Sequence, residues 1–458
     1  MKNIYRAGLL SLAALSLAGF TASAKTVTLL HSFSFNASKG KGPVSSLIVD
    51  EKGALYGTTY EGGANGNGMV FKLTPPASDG ALWKETVLYS FCSRGECLDG
   101  SSPTGGLIFG AEGSLYGTTQ YGGLPCGQSG CGTVFKLSPP KNGHTLWTHD
   151  VVYYFKPFPS GCCQIVDGTN PTAGLIADQQ GVLYGTTMGG GLCGYVNGSG
   201  TVFKLVPDTG QGWKETVINV FCGSGIGDGA DPTGGLAFGP HGTLYGTTEK
   251  GGANGYGTVF KMTSPGNDDA VWPETVLYSF ADGSDGAYPL SGLVSDNFGV
   301  LYGTTTHGGT KCDLNQYCGG TVFQMLPGAR GIPLTTLHSF GGTARDGRPD
   351  GSYPVGGLAF GPNGTLYGTT EYGGVSPAPP HGCEFVYACG TIFNLTYNLG
   401  WNETVLHRFC DQAKYNDACI TGANPTAGVI NYQGALYGTT SFQGDGYLCD
   451  CGAVFKLD

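Results

Sequence analysis

Two glutamates hold the same place in a recurring pattern. Glu249 and Glu371 each directly follow a Leu-Tyr-Gly-Thr-Thr pentapeptide, where other copies carry Tyr60, Gln120, Met188, Thr306 and Ser441. Two carboxyl groups facing one pocket can work as an acid–base or nucleophilic pair on a glycosidic bond. Ordinary solvated strand ends would account for the same residues. A second carboxylate set is Asp99, Asp167, Asp228, Asp285 and Asp350, each followed by glycine and lying shortly before a proline. A ring of such groups near a central axis could bind cations or polar ligands. A side chain that accepts from the backbone of its own turn is the simpler explanation, and recurrence at one repeat position favours it.

Tyrosines gather near the same segments: Tyr121, Tyr195, Tyr256, Tyr288, Tyr317, Tyr353, Tyr372 and Tyr447. A tyrosine offers a stiff flat face with a polar tip, suited to sugars or protein partners. Covering loops and filling sheet edges is the plainer role. Tyr121, Tyr256 and Tyr372 are the binding candidates taken from this set. His31, His338 and His407 share a repeat position with Tyr89, Tyr154 and Tyr278, which makes them packing residues. The sequence contains no His-Glu-x-x-His, Cys-x-x-Cys, Asp-x-Asp-x-Asp-Gly or Gly-x-Ser-x-Gly motif, so no metal site and no cofactor is expected.

Sixteen cysteines point to disulfides in an oxidising compartment. Spacing suggests local pairs: Cys92 with Cys97, Cys126 with Cys131, Cys312 with Cys318, Cys383 with Cys389, and Cys410 with Cys419. Cys193 and Cys222 could pair. Cys162 with Cys163 and Cys449 with Cys451 are left as adjacent pairs. The N-terminus agrees with export. Lys2 and Arg6 precede an apolar run from Ala7 to Phe20, and Ala22-Ser23-Ala24 fits a signal-peptidase site. Residues 1–24 are therefore read as a signal peptide, and 25–458 as the mature chain. That run is too short to span a bilayer as a helix, and no second one exists. The formal net charge is -10, with no basic stripe, so neither nucleic acid nor an anionic membrane surface is an expected partner.

The elements that must position these residues are repeats. Leu-Tyr-Gly-Thr-Thr occurs seven times, at 55–59, 115–119, 183–187, 244–248, 301–305, 366–370 and 436–440. Each copy follows a Pro-x-x-Gly-Leu segment or a variant of it. Each precedes a Val-Phe-Lys-Leu-like segment, and all but the last are then followed by a Thr-Val-Leu-Tyr-Ser-Phe-like segment. Alternating β-branched and aromatic residues bounded by glycine and proline predict strands, with no helical period. Four strands repeated seven times predict an all-β seven-bladed propeller of four antiparallel strands per blade. The chain stops just after the last third strand, and residues 28–33 supply the missing fourth, closing the ring. A small pair inside each first strand, such as Gly105-Gly106 or Ala173-Gly174, fits crowding round the axis. In this strand order the cysteine-rich loops, the Asp-Gly turns and both glutamates share one face.

The repeated Gly-x-Leu-Tyr-Gly-Thr-Thr-x-x-Gly-Gly unit resembles the bacterial GloVer tandem repeat of the choice-of-anchor proteins. That resemblance implies an exported bacterial protein and carries over no catalytic residue. Two functions follow from the residues: a recognition or scaffold module for a glycan or protein, or a carbohydrate-active enzyme using Glu249 and Glu371.

Overall fold

The computed structural model describes residues 25–458 apart from 35–38, 79–80, 127–128, 142–144, 157–166, 192–197, 209, 211, 224–226, 267–270, 313–317, 329–333, 375–388, 412–421 and 443–450. The proposed signal peptide lies outside them. Seven four-stranded antiparallel sheets succeed one another along the chain, and no α-helix occurs among the described residues. The first blade is typical. Ile48–Val49 pairs with Leu55–Thr59, which pairs with Met69–Thr74, which pairs with Lys84–Ser90. The seventh blade takes its fourth strand from the other end of the chain: Val27–Ser32 pairs antiparallel with Ala453–Leu457.

The pattern of burial explains the motif. In six of the seven blades every residue of Leu-Tyr-Gly-Thr-Thr is buried. The central glycine is forced by a phenylalanine of the third strand. A Cβ on Gly57 would lie 2.7 Å from the Phe71 ring, and one on Gly246 would lie 2.5 Å from Phe260. The first threonine reaches across to the neighbouring blade. Thr118 Oγ1 donates to the Ala173 carbonyl at 3.0 Å, and Thr369 Oγ1 to the Ala427 carbonyl at 2.9 Å. The second threonine bonds within its blade, as Thr119 does to Thr133 at 2.8 Å.

Side chains cluster between blades rather than within them. Tyr56, Val70, Leu88 and Phe91 of blade one pack with Leu115, Phe135 and Leu137 of blade two, and six similar clusters complete the circle. Burying each phenylalanine contributes about 1.5–3 kcal/mol, so the ring is held mainly by these seams.

Two expectations need correction. The small pair does not lie inside the first strand: the ladder is confined to the residues after Leu, as at Ile108–Phe109. The small pair before it lies against backbone of the next blade, where a Cβ on Gly105 would come within 2.5 Å of the Ala173 carbonyl. Proline has no N–H to give a ladder there. In blade two the residue at the His/Tyr position is Tyr153, not Tyr154, because Tyr153 faces Val134. A β-bulge recurs in every fourth strand one step before this position, and it aims the Tyr, His or Asn side chain back toward the inter-blade loop.

Candidate functional site

The loop joining the second and third strands and the loop entering each blade lie side by side on one face. Backbone pairing between them recurs in all seven blades: Gly40 with Gly62, Ser101 with Tyr121, Gly168 with Gly190, Gly229 with Gly251, Ala287 with His307, Ser352 with Tyr372 and Ala423 with Phe442. Cys92–Cys97, Cys126–Cys131 and Cys312–Cys318 are disulfides of these loops. Cys222, Cys389, Cys410 and Cys451 are disulfide-bonded as well. Cys162, Cys163, Cys193, Cys383, Cys419 and Cys449 lie outside the described residues, as do Tyr195, Tyr317 and Tyr447.

The residue just before each first-strand proline has a left-handed backbone: Gly42, Ser102, Asn170, Asp231, Tyr288, Tyr353 and Asn424, with φ between 52° and 64°. Two hydrogen bonds fix it each time. At Tyr353 its N–H donates to the Gly319 carbonyl at 2.8 Å, and its carbonyl accepts from Glu371 N–H at 3.0 Å. At Tyr288 the partners are the Tyr256 carbonyl and Thr306 N–H. Because the first strand is innermost, these residues and those following Leu-Tyr-Gly-Thr-Thr stand around the mouth of the central axis.

On blades four to six this geometry assembles an aromatic file. Ring centroids run Tyr256 to Tyr288 at 5.6 Å, Tyr288 to His307 at 5.2 Å, His307 to Tyr353 at 4.9 Å and Tyr353 to Tyr372 at 5.4 Å. The first three contacts are edge-to-face and the last is tilted. His307 Nδ1 lies 3.0 Å from Thr306 Oγ1, which itself donates to the Tyr288 carbonyl. Burial holds the His307 imidazole pKa below its usual value, so the ring is neutral at pH 7.

Glu249 and Glu371 flank this file, and the Tyr353 hydroxyl feels the charge of both. Burial raises each carboxyl above the usual range. Tyr372 hydrogen-bonds to Glu371, and Lys250 Nζ stands 3.8 Å from Glu249 while bonding Asp231 at 2.9 Å. Of the three tyrosines singled out in the sequence, Tyr256 and Tyr372 join the file. Tyr121 belongs to blade two, where its backbone pairs with Ser101.

The five aspartates are placed elsewhere. Their carboxylates turn toward the outermost strands. Asp99 accepts from Tyr89 Oη at 2.6 Å, from Ser93 N–H and Oγ at 2.9 and 2.8 Å, and from Arg94 N–H at 3.1 Å. Asp167 accepts from Tyr153 and Lys156 N–H, Asp228 from Cys222 N–H, Asp285 from Tyr278, Ala281 N–H and Gly283 N–H, and Asp350 from Lys311 and Gly342 N–H, with His338 Nε2 3.2 Å away. Four of the five reach a Tyr or His of their own fourth strand, and Asp228 holds its loop through Cys222 N–H. No group of three or more His, Cys, Asp or Glu among the described residues could hold a metal.

The file was partly legible. Tyr288 and Tyr353 appear among the loop tyrosines, but the signal that marks them is comparative: they interrupt a column otherwise filled by Gly, Ser, Asn and Asp. His307 has no such signal in the sequence.

Residues 17–224 match the family model described as the Gloeobacter/Verrucomicrobia repeat. Over those residues the chain is similar to that repeat. Its pentapeptide continues through the four later copies, beginning at residues 244, 301, 366 and 436. No curated protein matches the sequence. Among solved structures, a fungal alcohol oxidase of the AA5 family in complex with copper is 12% identical, with a TM-score of 0.50 over 95% of this chain and 76% of that one. The calcium structure of the Trichoderma reesei family AA12 enzyme is 12% identical, with a TM-score of 0.43 over 95% and 96%. Trypanosoma rangeli sialidase is 10% identical, with a TM-score of 0.41 over 95% and 59%. At 12% identity the likeness to the alcohol oxidase is one of fold.

Proposed function

We propose that this chain is an exported recognition module that binds a saccharide chain at the mouth of the propeller, across blades four to six. The observation that carries the reading is the aromatic file from Tyr256 to Tyr372 flanked by Glu249 and Glu371. Flat rings with polar edges match the apolar faces and hydroxyl rims of sugar rings, and buried carboxyls accept hydroxyl hydrogen bonds. Export is supported by the leader pattern of residues 1–24 and by the disulfides of the loop face. No described helix is long and apolar enough to cross a membrane.

The test is a thermal-shift screen of oxidised residues 25–458 against soluble polysaccharides and oligosaccharides, with calcium and EDTA arms. A saturable rise in Tm with one glycan class is expected. A flat response to every glycan would replace the saccharide by a protein partner. One observation favours a second reading, hydrolysis of the bound glycan. Glu249 and Glu371 both act on Tyr353, and both have raised pKa values. Reducing-end release that disappears in Glu371→Gln, with binding retained, would establish that reading.

A further inference from the structure

We infer that Tyr288 and Tyr353 form the ring-gripping subsite of the loop face, held in a strained backbone for that purpose, and that its ligand is a neutral pyranose unit. The inference rests on the saccharide-binding reading above and names its central residues and ligand class.

The argument starts from the backbone. All seven pre-proline positions adopt left-handed φ. Proline itself pushes the preceding residue toward extended backbone. Glycine, asparagine and aspartate tolerate the left-handed region best, and a bulky side chain there is an outlier. Four of the seven positions carry these types, and Ser102 is small. Their side chains make local bonds that suit the turn. Asn170 Nδ2 donates to the Gln120 carbonyl and Asn424 Nδ2 to the Glu371 carbonyl, each at 3.2 Å. Asp231 holds Lys250.

Of these seven positions, only Tyr288 at φ 56° and Tyr353 at φ 64° carry an aromatic ring. The two belong to adjacent blades and flank one imidazole, meeting His307 at interplanar angles of 78° and 75°. Strain of this kind persists where surrounding bonds over-determine it, and it concentrates at ligand clamps. A filler would not need it, since asparagine serves the same turn at Asn170 and Asn424.

Charge selects the ligand class. Glu249, Glu371 and Asp282 act on these rings, and so does one cation, Lys250, which Asp231 already holds at 2.9 Å. An acidic saccharide would be repelled, whereas a neutral one meets rings and hydroxyl acceptors.

The test replaces each tyrosine by the residue other blades use. Tyr288→Asn, Tyr353→Asn and the double variant are compared with wild type for ligand-free Tm. Affinity is measured by calorimetry for cellohexaose, laminarihexaose, xylohexaose and mannohexaose, with oligogalacturonate as the acidic probe. Each asparagine variant is expected to melt about 1–3 °C higher and to bind the neutral oligosaccharide about tenfold more weakly. Oligogalacturonate should bind neither form. Variants that melt lower would make the tyrosines structural fillers and overturn the inference. Variants that melt higher yet bind the sugar unchanged would overturn it while leaving the saccharide function standing. A wild-type protein that binds none of the four neutral probes would overturn the ligand class, and a flat glycan screen would remove the function as well.

Discussion

At the scale of single residues, the same chemical type divides into two jobs by position. Asp99 is fully buried and spends its oxygens on Tyr89, Ser93 and Arg94, which keeps its carboxyl below the usual pKa range despite burial. Glu371 is half-buried, faces the loop mouth and has its pKa raised by burial. Asp99→Ala should therefore destabilise the fold by about 3 kcal/mol, through unpaired donors left in a closed seam. Chemical denaturation would read this, and saccharide affinity should stay unchanged in the folded fraction. A variant of normal stability that no longer bound sugar would put Asp99 at the ligand instead. The sequence could not separate these jobs. Asp-Gly before proline identifies a turn, but which way the carboxylate points depends on the bulge in the strand before it.

At the scale of elements, the seams between blades contain buried titrating groups. Tyr153 donates to Asp167 at 2.7 Å and lies 3.5 Å from Glu215 of the next blade. Burial, helped by the Asp167 charge, pushes the Glu215 carboxyl up to about 8. Glu274, bonded to Asn219 across its seam, is pushed to about 7 by burial, and Glu403 likewise to about 7 by burial and Asp350. His31, His149 and His407 are held near 4 by burial. The two sets act in opposite directions. A carboxyl whose pKa is raised on folding binds its proton more tightly when native, so stability falls as pH climbs from about 4.5 through 7 or 8. A histidine kept neutral makes stability rise with pH from about 4 to 6.5 and then stop contributing. The two sets oppose each other up to about pH 6.5, and only the carboxyl loss remains above that. The expected Tm profile declines from about pH 6.5 toward about pH 8.5. Glu215→Gln, which keeps the neutral hydrogen-bonding form, should make the decline shallower. A Tm that climbs over that upper range would contradict the assignment.

At the scale of the whole molecule, ring number and closure were readable because repetition writes them seven times. Each Leu-Tyr-Gly-Thr-Thr became a buried second strand, and the N-terminal Val-Thr-Leu-Leu-His-Ser became the fourth strand of blade seven. The site was less readable, because a repeat treats all blades alike and function sits in departures from it. That Tyr353 answers to glutamates of blades four and six depends on the curvature of the ring. The closing strand is the molecule's most exposed dependency. Phe33 is fully buried against Phe71 of blade one at 5.2 Å between ring centroids, and Leu30 joins the same seam. Removing residues 25–33 should uncover that seam and leave Ala453–Leu457 as an unpaired edge. Loss of more than about 10 °C in Tm is expected, with concentration-dependent association visible by light scattering. Val27 pairs with Leu457, so the missing strand can also be supplied as a hairpin. A permuted chain carrying residues 26–34 after Asp458 through a turn of about four residues should recover the wild-type Tm and stay monodisperse. Recovery would assign the defect to the open seam, because the strand's own sequence is unchanged and only its connectivity differs. A truncated chain melting like wild type would mean that blade seven holds without its fourth strand.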